Sequence, residues 1–368
     1  MLEMRLLILN DMLWGGGRER RITQLIVGLS KRGVKDICLV LLDEGIDYPE
    51  ILSLGIEVHI IKRSSNRDWK VFTKLDLIVQ KFRPTAMIPW SLMTAFYASP
   101  ISFLRRIPLI SAHVVDCNRP ASFTINNAAR IIANLFSRKI VSNCYAGHHA
   151  YKTPRKKQIV IRNGFTFDRI SPQNGAQRAD FINNEIAQLK IAMVGRMDGQ
   201  KDFTTFIAAL QNLRKSRDDF EGFCVGKGPH QIQIIESLTD EAKNYIKFPG
   251  FISPIESLYP SISIGVLCTN PRLHSEGISN VLIEMMAFGI PVIATRGGGT
   301  EELIEDRVDG LLIDPGNPKQ LTASLVELVS NKELSSKLSE NAMLKIRENF
   351  SLDSMCEEFL RVLMEVKN

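Results

Sequence analysis

One segment in the second half of the chain carries most of the information about fold and chemistry: Ser275-Glu276-Gly277-Ile278-Ser279-Asn280-Val281-Leu282-Ile283-Glu284-Met285-Met286-Ala287-Phe288-Gly289-Ile290-Pro291. Its second part predicts a helix over 280–288, which Gly289 and Pro291 bring to an end. Ser279 and Asn280 are suitable residues for the start of that helix. A helix N-terminus presents free N–H groups and a partial positive charge, so the segment predicts a diphosphate site.

Two carboxylates belong to the same segment. Glu276 precedes the helix in a glycine-containing loop, and Glu284 lies one turn inside the helix. A carboxylate beside a diphosphate is unfavourable, so we expect both to face hydroxyl groups, which a sugar ring and a ribose supply. The residues alone leave another interpretation open, in which Glu284 pairs with a surface cation and Glu276 only complements the helix dipole.

The rest of the chain alternates short apolar runs with amphipathic stretches. The predicted strands are 5–9, 36–42, 57–61, 86–89, 108–112, 139–141, 190–195, 222–225, 264–267 and 291–294. Helical spacing is clearest over 20–32, 203–213 and 352–366. Continuous apolar strands separated by helices are typical of parallel sheets that are covered on both faces. The sequence therefore predicts an α/β protein with two doubly wound, Rossmann-like domains.

The domain boundaries follow from where this pattern weakens. The first domain is predicted over 1–170 and joined by the C-terminal helix 352–368. A linker rich in turn residues is predicted over 171–187, and the second domain over 188–351.

Composition limits the class of protein. With 368 residues, 45% hydrophobic and 23% charged, the chain is long enough for two globular domains. It has no apolar run near the ~20 residues of a membrane-spanning helix. The apolar run at 6–9 is too short for a signal-peptide core and predicts a first strand. Six scattered cysteines without a C-x-x-C pair indicate buried free thiols and a reducing cytoplasm.

The net charge of +6 is unevenly distributed. Residues 1–170 hold 26 Lys and Arg against 13 Asp and Glu, whereas the remainder holds 20 against 27. The basic first half predicts an anionic partner or an anionic membrane surface, with segments 69–72 and 103–106 mixing cations and apolar residues suitably. The sequence has no nucleic-acid motif and no basic cluster interleaved with exposed aromatics, so no nucleic-acid partner is expected.

Glycine-rich turns and two cations complete the set of candidate features. Three turns, at 15–17, 226–228 and 297–299, follow predicted strands, but none completes G-x-G-x-x-G or a P-loop, which argues against dinucleotide and simple NTPase sites. Arg196 and Lys201 follow the first strand of the second domain and could clamp phosphate oxygens, or could be solvated loop cations. The sequence has no Asp-x-Asp, H-E-x-x-H or Cys/His ligand set, so neither a metal nor another cofactor is expected.

Taken in order, these elements resemble a known family. The matching elements are Gly16-Gly17, Asn163-Gly164, Gly195-Arg196 with Lys201, Phe248-Pro249-Gly250-Phe251, and Glu276 through Glu284. They resemble the retaining glycosyltransferases of glycosyltransferase family 4, also called glycosyl transferases group 1, over nearly the whole chain. The resemblance implies the GT-B fold, in which two Rossmann-like domains face each other across a cleft.

The resemblance also implies roles for individual residues. Arg196 and Lys201 would bind the donor diphosphate, Glu284 the ribose, and Glu276 the transferred sugar. The backbone that would hold sugar and phosphates is that of Gly277, Ile278, Ser279, Asn280 and Val281. The positions implied around the rest of the donor are Gly16 and Gly17 over the diphosphate, Gly250 and Phe251 at the base, and His113 at the donor sugar.

Two positions keep an open interpretation. His113 follows the predicted strand 108–112, and the residues alone would also allow a satisfied structural histidine there. Asp202 follows Lys201 where the family often has glycine, so the loop can differ while the cation is retained.

The function implied is a retaining, metal-independent hexosyltransferase. It would move a hexose or N-acetylhexosamine from a nucleotide-sugar, expected to be a UDP-sugar, to a glycan or lipid-linked saccharide in lipopolysaccharide, other cell-surface polysaccharide or glycolipid synthesis. A cytoplasmic location with peripheral contact at the inner face of the membrane is expected. A nucleotide-sugar epimerase of the same architecture and a non-catalytic glycan- or nucleotide-binding protein remain alternatives.

Overall fold

The computed structural model describes residues 4–65, 68–114, 116–118, 121, 124–170, 189–270 and 272–367. The chain divides into two compact units. The first unit comprises residues 1–164 with 352–368, and the second unit comprises residues 165–351. The predicted linker 171–187 lies outside the described residues.

The first unit is built on parallel strands. They are β1 (Arg5–Asn10), β2 (Asp36–Leu41), β3 (Glu57–Ile60), β4 (Ala86–Pro89), β5 (Ile110–Val114), β6 (Lys139–Ser142) and β7 (Gln158–Val160). The strand order is β3-β2-β1-β4 followed by β5-β6-β7, and a bridge between Met87 and Leu109 joins the two groups. Residues that alternate along β1 enter two separate apolar layers, with Leu6 and Ile8 on one face and Leu7 and Leu9 on the other. The sheet is therefore covered on both faces, as the continuous apolar runs predicted.

Helices connect these strands. They are α1 (Gly17–Lys31), α2 (Pro49–Ser53), α3 (Lys70–Phe82), α4 (Leu92–Arg105), α5 (Ile125–Phe136) and α6 (Tyr145–Ala150). Local signals fix their ends. Gly33 has a φ of +87° just after α1, which glycine adopts without strain. Ser91 and Thr94 form a reciprocal capping box at the start of α4.

The second unit repeats this architecture. Its strands are β8 (Leu189–Val194), β9 (Phe220–Val225), β10 (Ile246–Gly250), β11 (Ile264–Leu267), β12 (Val292–Thr295) and β13 (Leu311–Ile313). They form one parallel sheet in the order β10-β9-β8-β11-β12-β13, which is the doubly wound arrangement. Its helices are α7 (Phe203–Arg214), α8 (Gln231–Glu236), α9 (Asp240–Tyr245), α10 (Asn280–Ala287), α11 (Thr300–Leu303), α12 (Pro318–Ser330) and α13 (Lys332–Asn349).

The last helix, α14 (Leu352–Lys367), returns to the first unit. Its Phe359 is fully buried and stacks on Trp90 with ring centroids 5.8 Å apart. The helix approaches α1 so closely that a Cβ on Gly28 would lie 2.3 Å from Cys356 Sγ. Burial of this amphipathic helix therefore completes the core of the first unit.

Most predicted strands and helices differ from the structure by one to three residues at an end, and α1 begins at Gly17 instead of at residue 20. Two boundary differences have a clear cause. Residues 165–170 group with the second unit instead of ending the first. The reason is that Arg169 pairs with two carboxylates of that unit, while the Phe165 N–H donates to the Phe350 carbonyl at 2.7 Å. Strand β5 begins two residues later than predicted because Pro108 has no N–H for the ladder, and pairing with β6 starts at Ile110.

No helix among the described residues combines the length and the apolar character needed to cross a membrane.

Candidate functional site

The candidate site lies at the carboxyl edge of the second unit's sheet, where loops after several strands meet. The loop after β8 carries Arg196 and Lys201, and the loop after β11 carries Glu276 and leads into α10. The glycine-rich turn after β12 packs against that same loop, because the Gly299 N–H donates to the Glu276 carbonyl at 2.8 Å. Open α/β sheets bind ligands at this edge.

An ion pair joins two of these loops. Lys201 Nζ lies 2.5 Å from Glu276 Oε2, and His274 Nε2 lies 3.1 Å from the same oxygen. All three side chains are largely buried. Burial alone would raise the pKa of the Glu276 carboxyl, but Lys201 and His274 outweigh burial and hold that pKa at about 2. Glu276 is therefore a fixed anion with a cation beside it at physiological pH.

Helix α10 begins directly after this loop. It spans Asn280–Ala287, one residue shorter than predicted, with Ser279 as the extended N-cap residue and Gly289 at φ +70° beyond its end. Ile278 and Ser279 are buried, and the first N–H groups of the helix follow immediately. The predicted backbone segment from Gly277 to Val281 thus comes together with Lys201 and Glu276.

Glu284 has a different environment. Its side chain is 4% exposed, and its two oxygens accept from Arg169 Nη2 at 3.0 Å and from the Tyr259 hydroxyl at 2.7 Å. The interpretation that Glu284 pairs with a cation is therefore correct in part, although the cation is only 16% exposed and comes from a 3₁₀ turn over Phe167–Ile170. Sequence reasoning missed Arg169, Tyr259 and His274. The first of these follows Asn163-Gly164 by five residues, a proximity that could have drawn attention to it.

The glycine turns act by close backbone approach. A Cβ on Gly298 would lie 2.1 Å from the Glu276 carbonyl oxygen, and one on Gly299 would lie 2.6 Å from the Gly277 carbonyl carbon. The turn after β9 behaves likewise, since a Cβ on Gly226 would lie 2.0 Å from the Gly195 carbonyl oxygen. These glycines let the loops that carry the charged residues pack directly on one another.

Arg196 and the predicted base site are more open. The Arg196 side chain is 75% exposed and lies 3.6 Å from Asp198, outside the Lys201–Glu276 pair. Gly250 ends β10 at φ +79°, and its carbonyl accepts from the Gly226 N–H at 2.8 Å. Phe251, next along the chain, exposes most of its ring. Because the Arg196 side chain and the Phe251 ring are exposed, both are available to a ligand without breaking core contacts.

Asp202, the departure from the family pattern, has a local structural role. It is the N-cap residue of α7, and its carboxylate accepts from the Thr205 N–H at 2.9 Å and from the Thr205 hydroxyl at 2.6 Å. Capping by aspartate stabilises a helix start and complements its dipole. The cap therefore fixes the start of α7 directly after Lys201.

The remaining predicted donor residues lie in the first unit. Gly16 is the extended N-cap residue of α1 and Gly17 is its first residue. The Gly16 carbonyl accepts from the Arg20 N–H at 3.0 Å and from the Tyr48 hydroxyl at 3.2 Å, which anchors the glycine loop. These glycines therefore lie at the carboxyl end of β1, beside a helix N-terminus.

His113 requires a correction. It lies within β5 instead of after it, and its ring is 1% exposed, with Nδ1 2.7 Å from the Ser111 hydroxyl. Burial, with smaller contributions from His148 and Arg130, lowers the pKa of His113 to about 3. The imidazole is therefore neutral at physiological pH, and Nε2 has no hydrogen-bond partner among the described groups. Its contact with the donor sugar stays a prediction.

One group of side chains among the described residues has the spacing of metal ligands. Cys38, Glu57 and His59 lie on neighbouring strands of the first unit, with their ligand atoms within 4.8 Å of one another. Burial, with Glu57 nearby, raises the pKa of the Cys38 thiol to about 12, so the thiol is protonated at physiological pH.

Comparison with known proteins connects this geometry to a family. Residues 188–331 match the family model described as glycosyl transferases group 1. The matched segment covers most of the second unit. It includes strands β8 to β13, and thus both Lys201 and the Glu276–Glu284 segment.

Individual proteins are similar to longer parts of the chain. The chain is 24% identical over 355 residues to the lipopolysaccharide core biosynthesis glycosyltransferase LpsD of Rhizobium meliloti, covering 94% of each chain. It is 26% identical over 257 residues to the amylovoran biosynthesis glycosyltransferase AmsK of Erwinia amylovora, covering 68% of this chain and 58% of that protein. Its fold matches the crystal structure of Anabaena HepE in complex with UDP-glucose with a TM-score of 0.80 at 20% identity, covering 99% of this chain and 100% of that one. The predicted GT-B fold is confirmed.

Proposed function

We propose that the chain is a retaining glycosyltransferase of family 4 that transfers a hexose or N-acetylhexosamine from a UDP-sugar to an acceptor hydroxyl. The observation that carries the proposal is the Lys201–Glu276 pair at the start of α10. It sets a cation and a helix N-terminus, which suit a diphosphate, beside an ionised carboxylate, which suits sugar hydroxyls. The names of LpsD and AmsK, and the UDP-glucose bound to HepE, support the same chemistry.

The roles divide along the site. Lys201, Arg196 and the first N–H groups of α10 would bind the diphosphate and stabilise the charge that develops as it leaves. Glu276 would accept hydrogen bonds from the transferred sugar, and Glu284 from the ribose. Phe251 offers an exposed ring on which the base could stack. In this proposal the protein's own cations take the place that a metal would have beside the diphosphate.

The bond changes would occur on one face of the sugar. The bond from the anomeric carbon to the diphosphate oxygen breaks as the acceptor oxygen forms its bond from the same side. The acceptor proton passes to the departing phosphate oxygen, so UDP leaves with that proton and the anomeric configuration is retained. No enzyme nucleophile is required for this route.

The function is tested in two stages. A thermal-shift screen of nucleotide-sugars first identifies the donor, and transfer to candidate saccharides is then followed by NMR of the anomeric proton, with and without EDTA. An α-linked product from an α-linked donor, formed at an unchanged rate in EDTA, is expected. A β-linked product would overturn retention, and loss of activity in EDTA would overturn metal independence. Isomerisation of the donor without acceptor would indicate the epimerase alternative.

We further propose that the acceptor is a glycan or lipid-linked saccharide and that the enzyme works in the cytoplasm, at the inner face of an anionic membrane. An apolar patch on the first unit supports this. Phe103 and Leu104 are 67% and 77% exposed at the end of α4, and Phe103 meets Phe136 of α5 with ring centroids 5.5 Å apart. Arg106 and Arg138 line a groove together with Phe103, Leu104 and Phe136. Apolar side chains flanked by cations are typical of peripheral membrane contacts.

Vesicle sedimentation tests the membrane contact. Binding to vesicles that contain phosphatidylserine is expected, with little binding to phosphatidylcholine vesicles and a marked loss of binding in Phe103→Ser/Leu104→Ser. Leu344→Ser is the matched control, since it removes an exposed leucine from α13 of the second unit. Equal recovery of the wild type in the soluble fraction with both lipids would contradict the proposal.

A further inference from the structure

Glu284 is a buried carboxylate whose orientation is fixed by two donors from outside its own helix. Arg169 reaches one oxygen at 3.0 Å, and the Tyr259 hydroxyl reaches the other at 2.7 Å. A charge in this environment costs free energy unless it is paired and hydrogen-bonded. Both donors come from segments distant in sequence, so the tertiary fold holds the carboxylate in place.

Arg169 is itself held on several sides. Its Nε forms a short contact with Glu256 Oε1, and its guanidinium lies 5.0 Å from the centre of the Phe165 ring. One guanidinium therefore bridges two carboxylates, which uses the planar fork that distinguishes arginine from lysine. Tyr259 is also enclosed, with its ring 5.1 Å from that of Phe288 just past the end of α10.

This arrangement has a consequence for ligand recognition. A carboxylate offers about four acceptor positions. Arg169 and Tyr259 each occupy one, on different oxygens, and so define the plane of the Glu284 carboxylate. A carboxylate held in a fixed plane suits two neighbouring hydroxyls, such as the 2′- and 3′-hydroxyls of a ribose.

We propose that Arg169 and Tyr259 are positioning residues that set the preference of this site for a ribonucleotide by fixing Glu284. The inference rests on the proposed donor role of Glu284 and extends it. A buried acceptor built for a hydroxyl rejects the analogue that lacks it, because the acceptor is then left unpaired. If the Glu284 carboxylate is no longer held in one orientation, that penalty should become smaller. The ratio of the affinities for the ribonucleotide and the deoxyribonucleotide should then decrease more than the affinity for the ribonucleotide does.

Isothermal titration calorimetry with UDP and 2′-deoxy-UDP measures this preference directly. The wild type is expected to bind UDP more tightly by on the order of 10- to 100-fold. Tyr259→Phe and Arg169→Lys are each expected to lower this ratio by about 3- to 10-fold. Tyr259→Phe removes one hydroxyl and keeps the ring, so it should fold even where the arginine variant does not. Tyr245→Phe is the matched control, since Tyr245 is a buried tyrosine of the same unit.

A double variant separates positioning from general destabilisation. In the Glu284→Gln background, where the carboxylate is already lost, Tyr259→Phe should produce no further change in the ratio. A purely structural Tyr259 would weaken both nucleotides equally and leave the ratio intact in either background, and that result would overturn the inference. A wild type that binds neither nucleotide, or binds both equally, would overturn the donor role of Glu284 and the inference with it.

Discussion

The Lys201 ammonium lies 2.5 Å from the Glu276 carboxylate and joins the loop after β8 to the loop after β11. Both side chains are largely buried, so neither charge is well solvated without the other. Removing one partner of a buried ion pair costs about 3–5 kcal/mol, because the remaining charge is left uncompensated. The pair therefore contributes to stability as well as to the proposed chemistry, and the two contributions can be measured separately.

Lys201→Met and Glu276→Gln are each expected to lower the rate of transfer by roughly 10²–10³. The lysine variant removes a cation from the diphosphate, and the glutamate variant removes a charged acceptor for the sugar. The rate is measured as UDP release with the donor that the thermal-shift screen identifies. Lys215→Met changes an exposed lysine at the end of α7 and should retain the wild-type rate. Near-normal turnover by either site variant would contradict the assignment.

Arg196 and Lys201 should differ in their effects on stability. Arg196 is mostly exposed, so Arg196→Met should change the free energy of unfolding by less than about 0.5 kcal/mol. Lys201→Met leaves Glu276 without its cation and should destabilise the second unit clearly. Both should weaken the binding of UDP. Calorimetric unfolding without ligand and titration with UDP separate the two effects. Equal destabilisation by both variants would show that Arg196 has a structural partner.

The fold was predictable because its signals are local. Buried parallel strands appear as continuous apolar runs, and helix ends carry residues such as Gly33 and Gly289 at positive φ. The short strands β7, β10 and β13 lack long apolar runs and were not assigned. The shift of β5 depends on Pro108 and on pairing with β6, a tertiary relationship that the sequence does not display.

The candidate site was predictable only in part. Lys201, Glu276 and the start of α10 stand in recognisable spacing, whereas Arg169 and Tyr259 act through contacts between segments 115 and 25 residues away from Glu284. The distance of Arg169 from Asn163-Gly164 could have drawn attention to that arginine, but no spacing in the sequence identifies Glu284 as the partner of Arg169 or of Tyr259. His113 is the opposite case. The sequence singles out this histidine, but it does not reveal that the ring is buried.

Burial of neutral His113 should make the stability of the first unit depend on pH. Its pKa is about 3 in the folded state, below the ~6.5 of an unfolded histidine, so the unfolded chain binds an extra proton between these values. Stability should therefore fall as pH drops below ~6.5, by about 2 kcal/mol at pH 5. All three tryptophans lie in the first unit, so urea unfolding followed by tryptophan fluorescence reports on that unit.

The matched variants are His113→Asn and His149→Asn. Replacing His113 removes the buried imidazole, so the decrease in stability from pH 7 to pH 5 should be smaller than in the wild type. Replacing exposed His149 should leave the wild-type decrease unchanged. If all three proteins lost the same stability from pH 7 to pH 5, the pKa of His113 would not be lowered in the folded protein.

Gly298 should be required for the position of the Glu276 loop. An alanine Cβ there would lie 2.1 Å from the Glu276 carbonyl oxygen, a distance that forces the two backbones apart. Gly298→Ala is expected to weaken the binding of UDP by about 10-fold or more, because the loop carries both Glu276 and the start of α10.

Gly316→Ala separates this effect from backbone strain. Gly316 has a φ of +67°, close to the +59° of Gly298, but a Cβ at Gly316 would meet open space. Gly316→Ala should cost about 1–2 kcal/mol of stability through its positive φ, and Gly298→Ala should cost at least as much because of the added clash. Only Gly298→Ala should alter UDP affinity. Calorimetric unfolding and titration with UDP give both quantities. Unchanged affinity in a folded Gly298→Ala protein would mean that the turn after β12 does not hold the loop in its binding position.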